Sequence, residues 1–230
     1  MALIKCGYCG KEISDKARVC QGCGYPIDSS PAQTPAAKGE GTSSVSGGNI
    51  LAEMEAERRT EIRPIDLNEK FEYTEKNGNI TITKYTGEAK DVVIPGSINN
   101  FPVIAIGERA FASSQLTSVV IPDSVISIGE SAFRDNQLTG VNISNSVAVI
   151  GGWSFMNNQL IDIVIPDSVA VIEDGTFANN RLISVTIPDA VTRIGNGSFY
   201  GNQLTYVAIP SSVICIGGDA FDSKVKITRQ

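Results

Sequence analysis

Four of the five cysteines lie in the first 27 residues, as Cys6-Gly7-Tyr8-Cys9-Gly10 and Cys20-Gln21-Gly22-Cys23-Gly24. Each pair fits one tight turn, in which two thiolates can face a single ion while Gly10 or Gly24 lets the backbone bend past the second sulfur. Four soft ligands at this spacing, Cys6, Cys9, Cys20 and Cys23, suit one tetrahedral Zn2+ and leave no position for water, which describes a structural rather than a catalytic site. Two disulfides, an iron centre or redox-active pairs are the competing uses of the same residues. Disulfides require an oxidising compartment, and the gap between the pairs is short for iron.

Other reactive side chains are sparse. Histidine is absent from the 230 residues, which removes the usual general base and the nucleophilic triads that depend on it. The aspartates that recur at Asp123, Asp167 and Asp189 follow a proline each time, where they suit a turn. These features argue against an enzyme. The net charge is −6, positive only over residues 1–27, so clustered cations for nucleic acid or an anionic membrane are missing from the bulk of the chain. The start, Met1 to Gly10, lacks the apolar core of a signal peptide, and no run approaches the ~20 apolar residues of a membrane span. The expected location is cytoplasmic, with a surface location as the alternative.

The elements that must hold these residues divide the chain. Residues 1–27 carry Ile4, Ile13, Val19 and Ile27 as their main aliphatic side chains, too few for a core, whereas zinc binding supplies ~10 to 16 kcal/mol of folding free energy. The two knuckles and the segment Lys11 to Val19 between them resemble the short zinc ribbons of bacterial proteins. Residues 28–60 open on a run from Asp28 to Gly48 that is rich in Ser, Ala, Pro and Gly and has Val45 as its sole large apolar residue. Such a run cannot offset its ordering entropy by burial and reads as a flexible tether, with a possible short helix over residues 49–60. Residues 61–87 contain two alternating apolar and polar runs around Asn77-Gly78, the signal of a β-hairpin placed where a repeat array needs its first edge covered.

Residues 88–230 repeat every 22 positions. Phe111, Phe133, Phe155, Phe177, Phe199 and Phe221 form one column, and Ile106, Ile128, Ile150, Ile172, Ile194 and Ile216 another. Ile121, Ile143, Ile165, Ile187 and Ile209 form a third, followed by proline except at Ser144. Alternation around Val119 and Ile121 predicts a strand that ends at Pro122. Val125 to Phe133 suits a short strand at about 125–128 and then a single helical turn. Asn136, Asn158, Asn180 and Asn202 are expected to bind turn backbone. The pattern Leu-x-x-Val-x-Ile-Pro-x-x-Val-x-x-Ile-Gly-x-x-Ala-Phe-x-x-Asn resembles the BspA-like leucine-rich repeats over about residues 70–230. That resemblance implies a mainly β solenoid with a parallel concave sheet, short convex strands or helical turns, and protein or surface binding.

Residues between the columns are then the ones free to choose a partner. On the outward side of the strand they are Ser118, Val120, Asn142, Asp162, Val164, Ser184, Thr186, Tyr206 and Ala208, a small and nearly neutral floor that another protein could approach. On the other side, Trp153 and Met156 replace Ser131 and Arg134, and Tyr200 replaces Ala178. Trp153 either anchors a partner or packs over its own turn. The leading expectation is a non-catalytic protein-interaction scaffold with a zinc-ribbon head. The alternatives are a nucleic-acid or transcription-machinery contact through Lys5, Lys11, Lys16, Arg18, Tyr8 and Tyr25, and an exported surface adhesin.

Overall fold

The computed structural model describes residues 3–5, 12–14 and 70–230. The chain divides into two units, Met1–Asp66 and Leu67–Gln230. In the first, β1 (Leu3–Lys5) and β2 (Glu12–Ser14) pair antiparallel, with Ile4 opposite Ile13. The four predicted zinc ligands, the tether and the possible short helix lie outside the described residues.

The second unit opens with the expected hairpin. β3 (Phe71–Lys76) and β4 (Asn79–Tyr85) are antiparallel with Lys76 opposite Asn79. Asn77 and Gly78 both have positive φ, 55° and 73°, as the favoured two-residue hairpin turn requires. The hairpin starts the stack that follows. β4 pairs in parallel with β7 (Phe101–Ile106), β7 with β9 (Ser127–Ile128), and β9 with β10 (Val149–Ile150). The same ladder resumes as β11 (Val171–Ile172), β12 (Arg193–Ile194) and β14 (Cys215–Ile216). The isoleucine column thus faces inward on successive coils. The short β6 (Ser97–Ile98) folds back antiparallel onto β7, in the first copy, where Ile94 precedes Ile121 by 27 residues instead of 22.

Strands at the leucine side of each copy are less continuous. β5 (Asp91–Val93) pairs with β8 (Ser118–Val120), and β13 (Tyr206–Ile209) with β15 (Lys226–Arg229). Between them only the bridge from Val164 to Thr186 forms. The copy at Gly140 to Asn142 contributes no strand, because glycine and asparagine pack poorly on a pleated surface and ordering them in a strand costs most.

The turn after β9 differs from the expected helical one. Ser131 has φ of 54°, and its N–H donates to Gly152 in the next coil; Phe133 and Asp135 donate likewise to Ser154 and Met156. Amides spent between coils are unavailable for an i→i−4 bond, so the segment forms a left-handed corner, and no α-helix occurs among the described residues. The close approach also explains the glycine that follows five of the six isoleucines, Glu173 after Ile172 being the exception. A Cβ on Gly129 would lie 2.6 Å from the Glu108 nitrogen, and one on Gly151 would lie 2.6 Å from the Glu130 nitrogen.

Inside, the phenylalanines stack as a column. Successive rings from Phe111 to Phe221 are 5.1 to 5.8 Å apart with interplanar angles of 1° to 20°. Tyr85 of the hairpin extends the stack, 5.5 Å from Phe111, and Phe71 meets both rings at its end. Burial raises the Tyr85 pKa, while its hydroxyl donates to the Ala89 carbonyl.

Beside each phenylalanine sits a buried asparagine. Asn158 donates from Nδ2 to the carbonyls of Phe133 and Phe155, at 2.9 and 3.2 Å, and accepts on Oδ1 from the Leu138 N–H at 3.1 Å. Asn136, Asn180 and Asn202 repeat the pattern. The expectation that these amides bind turn backbone holds, and each one also joins its coil to the coil before it.

Candidate functional site

Two surfaces of the solenoid carry side chains that the core does not use. The first is the outward side of the leucine-side strands. Ser118, Asn142, Asp162, Val164, Ser184, Thr186 and Tyr206 are exposed there, and Val120 and Ala208 are half-buried. These residues belong to successive coils, so the array brings them side by side. Its apolar members are concentrated in three neighbouring copies: Ile161 is 50% exposed, Val164 77%, Ile183 59% and Tyr206 51%. The Ile183 N–H donates to the Ile161 carbonyl, which places these two isoleucines on adjacent rungs. Sequence reasoning missed Ile161 and Ile183, although Thr117, Thr139 and Thr205 stand at the same column position and the exchange of threonine for isoleucine was the available signal.

The second surface lies along the left-handed corners. Arg109, Ser131, Trp153, Gly175, Gly197 and Asp219, spaced by 22 residues, all have φ between 51° and 60°. For a side chain as bulky as tryptophan this conformation costs ~1 to 2 kcal/mol. Trp153 is nonetheless 38% exposed, and its indole lies over the next coil rather than its own. A Cβ on Gly175 would overlap Trp153 Cδ1 and fall 2.6 Å from Nε1, so the glycine provides the space the ring occupies. The packing expected over its own turn is thus found over the following coil instead.

A cavity of about 520 Å³ opens beside the indole. Trp153, Met156, Ala178 and Tyr200 supply its apolar wall, Asp174, Asn179, Asn196 and Asp219 its polar groups, and Gly175, Gly197 and Gly218 its floor. The polar groups are tied in rows along the stack. Asp174 accepts from the Asn196 backbone and side chain, at 2.8 and 3.1 Å, and Asn196 Oδ1 accepts from the Gly218 N–H at 2.8 Å. Asn179 donates to Asn157 at 2.9 Å. No pair of these groups is arranged as nucleophile and base. Among the sequence readings, Trp153, Met156 and Tyr200 come together here, whereas Gly175 and Gly197 were missed because absent side chains leave little trace in a list of unusual residues.

For the cysteine head, β1 ends immediately before Cys6, and the six residues that separate it from β2 contain Cys6 and Cys9. A hairpin connection carrying two thiols at this spacing, with two more at Cys20 and Cys23, has the donor chemistry of a four-sulfur zinc site. Among the described residues no helix is long and apolar enough to cross a membrane.

Replacing Gly175 by alanine should displace the indole and cost about 1 to 2 kcal/mol through both the overlap and the left-handed conformation. Trp153 is the single tryptophan, so its emission should shift to the red in Gly175→Ala, while Gly140→Ala, where an added Cβ meets nothing within 4 Å, should leave emission and unfolding midpoint unchanged. An unshifted spectrum in Gly175→Ala would mean that the ring does not occupy that space.

The comparisons agree with this architecture. The family model for the BspA type leucine rich repeat region matches six copies over residues 104–228, and a zinc-ribbon domain model matches residues 5–27. Among solved structures, the leucine rich repeat protein TpLRR of T. pallidum is 25% identical with a TM-score of 0.55, covering 69% of this chain and 83% of that one. A leucine rich cell surface protein of Faecalibacterium prausnitzii is 28% identical with a TM-score of 0.49, covering 70% of this chain and 53% of its own. No curated protein matches. With more than half its length in matched repeats, stacked as the structure describes, the chain belongs to the BspA type leucine rich repeat family, whose fold is that of a protein-interaction scaffold.

Proposed function

We propose that the solenoid is a non-catalytic docking surface for a protein partner, engaged through the outward side of its leucine-side strands. The observation that carries this reading is the run of exposed apolar side chains at Ile161, Val164, Ile183 and Tyr206. None of them is needed by the core, which the inward columns already fill. Exposed apolar side chains on neighbouring copies, interspersed with Ser118, Asn142, Asp162, Ser184 and Thr186, are what a protein interface buries at its centre. The absence of histidine from the sequence and the lack of any nucleophile–base arrangement along the cavity favour binding over catalysis.

The head is read as a structural zinc ribbon, with Cys6, Cys9, Cys20 and Cys23 holding one Zn2+. The ion would supply the folding free energy that its few aliphatic side chains cannot. Thiolate ligands of this type persist in a reducing compartment, and the cytoplasm is the location this reading takes.

Two measurements check these readings. The partner that copurifies with the native protein should bind the double variant Val164→Lys/Ile183→Lys at least about tenfold more weakly, the loss expected from two charges placed in an apolar interface centre. Unfolding midpoints should stay alike; undiminished affinity would move the interface elsewhere. Elemental analysis of the purified protein should give one zinc per chain and none in Cys6→Ser, with the unfolding of the repeats unaltered. Iron, or no metal in either protein, would remove the zinc assignment.

A further inference from the structure

Trp153 and Asp219 occupy the same corner column, and the two copies between them carry Gly175 and Gly197 there. The indole already fills the space over Gly175, and a Cβ on Gly197 would meet only Tyr200 Cβ at 3.9 Å; with parallel coils ~4.8 Å apart, this leaves an open trough of two coil spacings, ~10 Å from the indole to the carboxylate. Tyr200, half exposed, flanks it, and Asp174 lies along its edge. The trough therefore arises from local omission of side chains in one column.

Its chemistry selects the sign of the ligand. The lining includes two carboxylates, Asp174 and Asp219, and no lysine or arginine. Arg193, three residues before Asn196 of this lining, is ion-paired with Glu173. Phosphates and carboxylates are therefore repelled, while a cation gains both from the indole face and from the carboxylate. The backbone offers no edge for strand addition, because the Gly175 and Gly197 N–H groups are already donated to Asn196 and Gly218. Recognition must run through side chains. A guanidinium meets both ends well, since it stacks flat on an indole and forks onto a carboxylate.

We propose that this trough binds an extended basic segment with one arginine over Trp153 and a second at Asp219. At ~3.1 Å per residue in an extended polyproline II segment, whose every third side chain shares a face, ~10 Å corresponds to arginines about three positions apart. The inference rests on the scaffold reading only in taking a protein as ligand. It uses a different surface from the Val164 and Ile183 strip, so the two can fail separately.

The test uses the full chain and a fluorescein-labelled heptapeptide with arginine at its second and fifth positions among glycine and serine, followed by anisotropy at about 20 mM salt, where charge attraction is little screened. Saturable binding is expected, weakened at least about fivefold in Asp219→Asn and in Trp153→Leu. Asparagine tolerates the left-handed conformation, so Asp219→Asn keeps the fold. The remote Asp189→Asn should bind as the native chain does. A peptide with citrulline in place of both arginines should bind far more weakly. Absence of saturable binding, an equal loss in Asp189→Asn, or equal affinity for the citrulline peptide would overturn the proposal, as would stronger binding of neutral cellohexaose, which would make the trough a sugar site.

Discussion

Each of the four buried asparagine amides meets backbone from two successive coils, and the solenoid depends on that contact. A 22-residue coil with no helix cannot pair the polar backbone of its own corner. Its left-handed residues point N–H groups toward the next coil, and the phenylalanine carbonyls on either side are left facing the core. In Asn180, one Nδ2 reaches the carbonyls of Phe155 and Phe177, and Oδ1 takes the Leu160 N–H. A buried carbonyl or amide left without these partners costs ~1 to 3 kcal/mol. The phenylalanine stack supplies apolar burial at the same place, so the ring holds the carbonyl where the amide needs it and the amide fixes the corner that the ring fills.

The array has ends, and each is finished differently. At the hairpin, Tyr85 stands in for a phenylalanine and stacks on Phe111. At the last copy, Lys224 occupies the asparagine position; its Nζ reaches the Asn202 carbonyl at 3.4 Å, while Asp222 accepts from the Gly201 and Asn202 N–H groups. The corner of the last copy is thus satisfied by charged side chains. Function is left to what the columns release. Val164 and Ile183 lie outside the core on one side, and on the other the change from tryptophan to glycine at one corner position opens a trough that regular copies would fill.

Much of this was legible in the sequence because repetition makes each column its own control. The Asn77-Gly78 hairpin, the phenylalanine and isoleucine columns and the role of the asparagines follow from residue type and spacing. The corner did not. Val125, Ile128, Ala132 and Phe133 fit a helical turn by period alone, and only the destination of the Ser131 and Phe133 N–H groups decides against it. Nor do arginine, serine and tryptophan at Arg109, Ser131 and Trp153 announce a left-handed backbone; Gly175 and Gly197 do so in hindsight. The gap in the leucine-side ladder is visible as Gly140 and Asn142, which by residue type alone pass for neutral surface. For the cysteine head, the motif carries more than the structure, which describes only its first two strands.

The most direct measurement compares two neighbouring asparagines in urea unfolding. Asn158→Ala removes the amide that joins Phe133, Phe155 and Leu138, and the expected loss is about 3 kcal/mol or more, because several buried groups lose their partner together. Asn157→Gly removes a more solvent-exposed amide in the outer row that bonds Asp135 and Asn179 and keeps the left-handed φ of 57° accessible, with an expected change within about 0.5 kcal/mol. Equal effects of the two substitutions would contradict the claim that the inner asparagines hold the coils together.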